Sequence, residues 1–123
     1  MSLLMHTLHV ELEERSYPIY IGRDLLSDPQ LLGSHIAGSQ VVVVSNETIA
    51  PLYLDRLLAV LGDRSLITEV ILPDGEQFKS MEVLTQIFDR VLQDRHSRAT
   101  TMIALGGGVV GDITGFAAAC YQR

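Results

Sequence analysis

The sequence predicts an α/β domain in which a mostly parallel sheet is flanked by helices and preceded by an antiparallel hairpin. Three short apolar runs rich in β-branched residues, Gln40 to Ser45, Ile67 to Leu72 and Thr100 to Leu105, are each followed by a segment with helical marks. Strands that alternate with helices in this way pair in parallel, because a parallel pair needs a crossover and the helices are the crossovers. Ahead of them, Leu8, Val10 and Leu12 alternate with His9, Glu11 and Glu13, and a second extended run follows at Tyr17 to Ile21 after a turn. That pattern predicts a hairpin at a sheet edge.

The helices are marked individually. Residues 49–62 carry Pro51 in the first turn and Gly62 as the C-cap. The segment from Ser80 begins with a residue suited to N-capping and repeats Val83, Leu84, Ile87, Phe88, Val91 and Leu92 at helical spacing, with Arg95, His96 and Arg98 toward its end. Such a stripe is core. The last stretch, residues 109–121, has apolar or small residues on nearly every face, the pattern of a helix buried all round. One of its faces and an adjacent strand edge are expected to pair with a second copy. No internal repeat, low-complexity tract or linker divides the chain, so residues 1–123 are read as one domain, with residues 1–4 given no structural weight as a scar of expression.

Composition bounds the function. A formal net charge of −6, with nine Lys and Arg residues scattered along the chain, argues against nucleic acid, whose phosphates need clustered cations. No apolar run approaches the ~20 residues of a membrane span, and no secretory leader is evident. The single Cys120 reads as a small buried hydrophobe, which fits the reducing cytoplasm. His6, His9, His35 and His96 lack metal-ligand spacing and read as ordinary surface or edge histidines, so no metal site is expected in this chain.

In an open parallel sheet the turns at the carboxyl ends of the strands share one edge, where helix N-termini and free N–H groups meet ligands. Three turns fall there: Ser45 to Thr48, Pro73 to Ser80 and Gly106 to Asp112. The third contains G-x-G-x-x-G as Gly106, Gly108 and Gly111, after a strand and opening a helix, the setting in which glycines admit a dinucleotide pyrophosphate. In that reading Gly106 allows the tight turn, Gly108 the approach of the pyrophosphate, and Gly111 close packing of helix on sheet. Glycines serving helix–sheet packing alone are the competing account. In the second turn Lys79, the only lysine, stands beside Glu76 and Gln77. It can neutralise a diphosphate while Glu76 accepts from ribose hydroxyls, although a solvated charged loop explains the same residues. Asn46 and Glu47 can hold ribose hydroxyls, and Asn46 or Thr48 can equally cap a helix. Asp112, read as a first-turn carboxylate, is expected to point away from phosphates toward hydroxyl donors.

Taken together, the segments at 15–22, 45–57, 70–80 and 100–123 resemble the amino-terminal part of 3-dehydroquinate synthases, and the resemblance covers almost the whole chain. It implies a Rossmann-like NAD-binding domain, followed in the family by a mostly helical domain that carries a divalent metal, zinc or cobalt, on a glutamate and two histidines. That second domain is expected to be absent here and the chain inactive alone. The implied reaction converts a seven-carbon sugar acid phosphate into a cyclic ketone in the shikimate pathway: a ring hydroxyl is transiently oxidised, phosphate is eliminated, and the ring closes by an aldol step. The implied NAD contacts are Asn46, the run Asp74, Gly75, Glu76, Gln77, Phe78 and Lys79, and the run Gly107, Gly108, Val109, Val110, Gly111 and Asp112. Arg123 matches a family arginine at the phosphate end of the substrate, reaching the site of a neighbouring subunit, so a cytoplasmic homodimer is implied. Other readings remain: a polyol or glycerol dehydrogenase, another sugar-phosphate cyclase, or a nucleotide-binding module without catalysis.

Overall fold

The computed structural model describes residues 5–75 and 80–121. Its elements in chain order are β1 (His6–Val10), β2 (Tyr17–Ile21), α1 (Pro29–Gly33), β3 (Gln40–Asn46), α2 (Ala50–Leu61), β4 (Leu66–Leu72), α3 (Met81–Gln93), β5 (Thr101–Ala104) and α4 (Gly108–Tyr121). The predicted α/β class holds, with a parallel sheet in the order β4-β3-β5.

β3 is central because its side chains suit both faces. Val41 and Val43 are fully buried against Leu57 and Leu61 of α2, while Val42 and Val44 are fully buried against Ile87 and Val91 of α3 and Val110, Ile113 and Ala117 of α4. A strand covered on both sides has no polar alternation, which is what four consecutive valines encode. From β3 the chain crosses to β4 through α2, then back past β3 to β5 through α3. Crossovers of one hand that travel in opposite directions lie on opposite faces, so α2 covers one side and α3 with α4 the other. The reversal leaves a crevice between the carboxyl ends of β3 and β5.

The helix ends follow their sequence marks. Ser80 caps α3 by accepting from the Val83 N–H at 3.4 Å, Pro51 lies in the first turn of α2, and Gly62 ends α2 at φ 68° with its N–H on the Leu58 carbonyl.

Four expectations are corrected. The hairpin β1–β2 forms, with Leu8 opposite Ile19 and Val10 opposite Tyr17, but as a sheet of its own and not at the edge of the parallel sheet. Its inner contact comes from Tyr20, whose hydroxyl lies 3.2 Å from Nε2 of His35, and Leu8, Tyr17, Ile19 and Ile21 are exposed. Leu92 leaves the α3 stripe and is exposed, because positions 83, 84, 87 and 91 are the buried ones and Phe88 packs half-buried beside them. α4 buries one face, Val110, Ile113, Thr114 and Ala117, with Phe116 and Cys120 exposed on the other, so Cys120 is not a core residue. His96 is buried, only 5% exposed, where a surface position is expected.

The burial of His96 follows from how α3 ends. Arg95 takes a left-handed φ of 60°, its N–H bonds to the Leu92 carbonyl, and the His96 N–H reaches back to the Val91 carbonyl. This is a Schellman turn made without glycine, and it folds His96 under the amino-terminal edge of the sheet. There His96 Nε2 lies 2.7 Å from Oγ1 of Thr68, and Nδ1 lies 2.8 Å from Oγ1 of Thr100. Thr68 donates its one hydroxyl hydrogen to Asp94 Oδ2 at 2.5 Å, so it accepts from His96 Nε2, while the Thr100 hydroxyl lies between His96 Nδ1 and Gln40 Oε1, 3.1 Å away. Burial holds the pKa of His96 below its usual value, against the pull of Asp94. The Tyr121 hydroxyl bonds to the His96 carbonyl and ties the end of α4 to this corner.

Candidate functional site

The crevice between β3 and β5 is the place where open α/β sheets bind ligands, since the strand order reverses there. Its two walls are joined at the base. The Leu105 N–H donates to the Val44 carbonyl at 2.8 Å, and Ser45 Oγ donates to the Leu105 carbonyl at 2.8 Å, so the glycine turn leaves the sheet from a fixed point.

Gly106 is required by packing. A Cβ there would stand 3.0 Å from Cγ2 and 3.2 Å from Cβ of Val110, which is itself held in the core at 2% exposure. Gly107 and Gly108 differ: a Cβ at either would meet no atom of the described residues within 4 Å. The bare backbone there faces space that none of the described residues fills at the start of α4, where the first N–H groups have no carbonyl a turn earlier to accept them. An anionic group can reach those donors directly, and the helix dipole favours it.

Two expectations at this turn change. Gly111 is exposed, and a Cβ added to it would meet none of the described residues within 4 Å, so it does not bring the helix close to the sheet. The face of α4 that meets the sheet is Val110, Ile113, Thr114 and Ala117, and Gly111 lies outside it. Asp112 falls in the second turn, because α4 begins at Gly108. It lines, with Ser80, Leu84, Ile113 and Phe116, a groove of about 260 Å³ between the starts of α3 and α4.

The first two turns form one bonded unit. Asn46, 8% exposed, accepts from the N–H groups of Thr48 at 3.0 Å and Ile49 at 2.8 Å through Oδ1, an Asx turn ahead of α2 and not a cap of the helix, whose N-cap position is Ile49 with no side-chain cap bond. Its Nδ2 donates to Asp74 Oδ1 at 3.3 Å, and Thr48 Oγ1 donates to Asp74 Oδ2 at 2.6 Å. The Asp74 N–H approaches Glu47 Oε1 at 3.4 Å, and the Glu47 N–H donates to the Leu72 carbonyl at 2.9 Å. Thr48 is the member of this unit that a search for cofactor contacts overlooks. A hydroxyl two residues after an asparagine, at the exit of a buried strand, is the signal that marks it.

Asn46, Asp74, Gly75 and the residues from Gly107 to Asp112 therefore stand at the carboxyl edge of the sheet. Glu76, Gln77, Phe78, Lys79 and Arg123 lie outside the described residues. Among the described residues no group of three His, Cys, Asp or Glu side chains is placed to hold a metal ion, and no helix is long and apolar enough to cross a membrane.

The same fold occurs in solved structures of low sequence identity. The chain superposes on 2-deoxy-scyllo-inosose synthase, solved with carbaglucose-6-phosphate, NAD+ and Co2+, at a TM-score of 0.81 with 21% identity, covering 96% of this chain and 33% of that one. A second structure of 2-deoxy-scyllo-inosose synthase gives a TM-score of 0.80 at 20% identity, covering 95% of this chain and 34% of that one. Within that fold, sequence is more specific. Residues 69–123 match the model of the 3-dehydroquinate synthase N-terminal family. The 3-dehydroquinate synthase of Pseudomonas entomophila is 62% identical over 119 residues, and that of Pseudomonas aeruginosa strain LESB58 is 60% identical over the same length. The chain is thus similar to the amino-terminal part of 3-dehydroquinate synthases. Each alignment covers 97% of this chain and 32% of the relative, so the chain spans about a third of the length of the curated relatives it matches.

Proposed function

We propose that this chain is the NAD-binding part of a 3-dehydroquinate synthase, an enzyme that converts 3-deoxy-D-arabino-heptulosonate 7-phosphate into 3-dehydroquinate and phosphate with catalytic NAD. The observation that carries the reading is the glycine turn: Gly106 is demanded by Val110, whereas Gly107 and Gly108 leave space in front of the α4 N-terminus, beside the end of β3, that none of the described residues fills. A Cβ would fill that space, so the cradle fits a pyrophosphate. When bound, NAD supplies the reversible oxidation of a ring hydroxyl that makes the neighbouring hydrogen acidic enough for phosphate to leave.

In this proposal the chain's own residues bind and orient. The N–H groups at Gly108 and Val109, with Val110 locked in the core behind them, hold the diphosphate. Lys79 adds a point charge to it, and Asn46 and Glu76 take the ribose hydroxyls. Asp112, a turn further into α4 and beside the groove under Phe116, faces the hydroxyl-bearing part of the cofactor or substrate. Arg123 is assigned to the phosphate end of the substrate in a neighbouring subunit of a homodimer. The divalent metal, zinc or cobalt, is assigned to residues beyond this segment, in the part of the relatives that it does not span.

Calorimetric titration with NAD tests the reading. Saturable binding by the chain, lost in Gly108→Val while the melting temperature holds, is the expected result, since that side chain would enter space that none of the described residues fills and disturb only the ligand. No heat of binding from the unmodified chain would overturn it.

A further inference from the structure

We infer that Asp74 is a positioning residue that clasps the β3–α2 turn to the β4–α3 turn and thereby presents Asn46 to the cofactor. The inference rests on the NAD-binding reading above and deepens it. Each carboxylate oxygen of Asp74 has its own protein donor, Nδ2 of Asn46 at 3.3 Å on Oδ1 and Oγ1 of Thr48 at 2.6 Å on Oδ2. Asn46 is bonded from the other side as well, with Oδ1 held by the N–H groups of Thr48 and Ile49.

The consequence is an amide with one orientation. Oδ1 must face the turn and Nδ2 must face Asp74, so a flip of the Asn46 side chain would break three bonds together. Nδ2 has a second hydrogen, and the clasp decides where it points. Without the Asp74 carboxylate the β3–α2 turn keeps its local bonds and the two through Glu47, to the Leu72 carbonyl and from the N–H of residue 74, but it loses both ties from the side chains of Asn46 and Thr48 to the β4–α3 turn. A carboxylate is also poorly suited to touch a diphosphate, because like charges repel. Its worth to binding is in holding two loops that belong to different strands, and ordering them before the ligand arrives lowers the cost of binding.

The two roles give different double-mutant cycles. Thr48→Val removes one donor to Asp74 and keeps the size and branching of the side chain. Asp74→Ala removes the acceptor. If Asp74 acts through the clasp, each single change weakens NAD binding by about tenfold, the scale of one hydrogen bond, and the double variant is no weaker than the worse single one. Thr48→Ser, which keeps the hydroxyl, restores the affinity of the unmodified chain. Losses that multiply to about a hundredfold would overturn the inference and make Asp74 a direct contact. Hydrogen exchange of the Thr48 and Ile49 amides, read without ligand, separates this from the functional reading. Faster exchange in Asp74→Ala is expected, and unchanged exchange refutes the clasp whatever the affinity. If exchange quickens but the unmodified chain binds no NAD, the functional reading fails and the positioning role falls with it.

Discussion

Replacing Thr68 by Val removes one hydroxyl from the amino-terminal edge of the sheet and leaves the carboxyl edge untouched. Thr68 is 1% exposed and bridges two groups, Asp94 at 2.5 Å and His96 at 2.7 Å. The two partners recover differently. The Asp94 side chain is 30% exposed and can exchange the lost bond for water. His96 is 5% exposed, so its Nε2–H is left without an acceptor in a site water reaches poorly. An unsatisfied buried donor costs about 1–3 kcal/mol, and the loss of the Asp94 bond adds under about 1 kcal/mol, so a destabilisation of about 2–3 kcal/mol is expected. For a domain of this size that lowers the melting temperature by roughly 8–12 °C, at about 4 °C per kcal/mol. Urea denaturation followed by circular dichroism measures it, with Thr68→Ser as the variant that retains the hydroxyl and stays near the unmodified chain. A change below about 0.5 kcal/mol in Thr68→Val would show that the Thr68–His96 bond contributes nothing net, and would refute the reasoning.

How much of this the sequence discloses depends on whether the cause is local. The valine run at 41–44 announces a strand buried on both faces, and Pro51, Gly62 and Ser80 mark helix ends because capping is decided within a few residues. Helix α1 is harder to see. It has five residues, too few for a periodicity, and the mark that does exist is Asp28, whose carboxylate accepts from the N–H groups of Gln30 and Leu31 ahead of Pro29 at the first position. The hairpin is legible as a pair, yet its separation from the main sheet is not, because alternation fixes which residues share a face and not what that face meets. His96 and Cys120 exchange their expected places for related reasons. Arg95 supplies a left-handed turn where glycine is the usual signal, so His96 is carried under the sheet, and α4 has apolar residues all round while only one side finds a partner among the described residues. At the site the glycine turn is legible, and the clasp is not, since its partners lie 26 and 28 residues apart in sequence.

The remaining predictions concern pH, the glycine turn and cofactor choice. Because burial lowers the pKa of His96, the unfolded chain binds a proton at this position that the folded one does not, in the interval between the folded value and 6.5. Stability is therefore fully present above pH 6.5 and falls as pH drops through that interval; a His96→Gln variant whose unfolding free energy has the same slope there would refute the assignment. Gly106→Ala is expected to cost about 1–3 kcal/mol, the range for overpacking, because its Cβ would stand 3.0 Å from Val110, whereas Gly107→Ala, meeting none of the described residues within 4 Å, leaves the urea midpoint nearly unchanged. Equal loss in both would mean that the turn, and not the contact with Val110, sets the requirement. The chain is expected to prefer NAD over NADP. A ribose near the end of β3 meets the carboxylate of Glu47, whose Oε1 is oriented by the Asp74 N–H at 3.4 Å, and Glu76 adds a second carboxylate in the next turn. A 2′-hydroxyl can donate to such a group, whereas a 2′-phosphate is repelled by it and finds no adjacent arginine in the sequence to offset the repulsion. Paired calorimetric titrations decide the point: Glu47→Gln should narrow the difference between the two cofactors by raising NADP affinity, and NADP binding as tight as NAD by the unmodified chain would place the 2′ position away from both carboxylates.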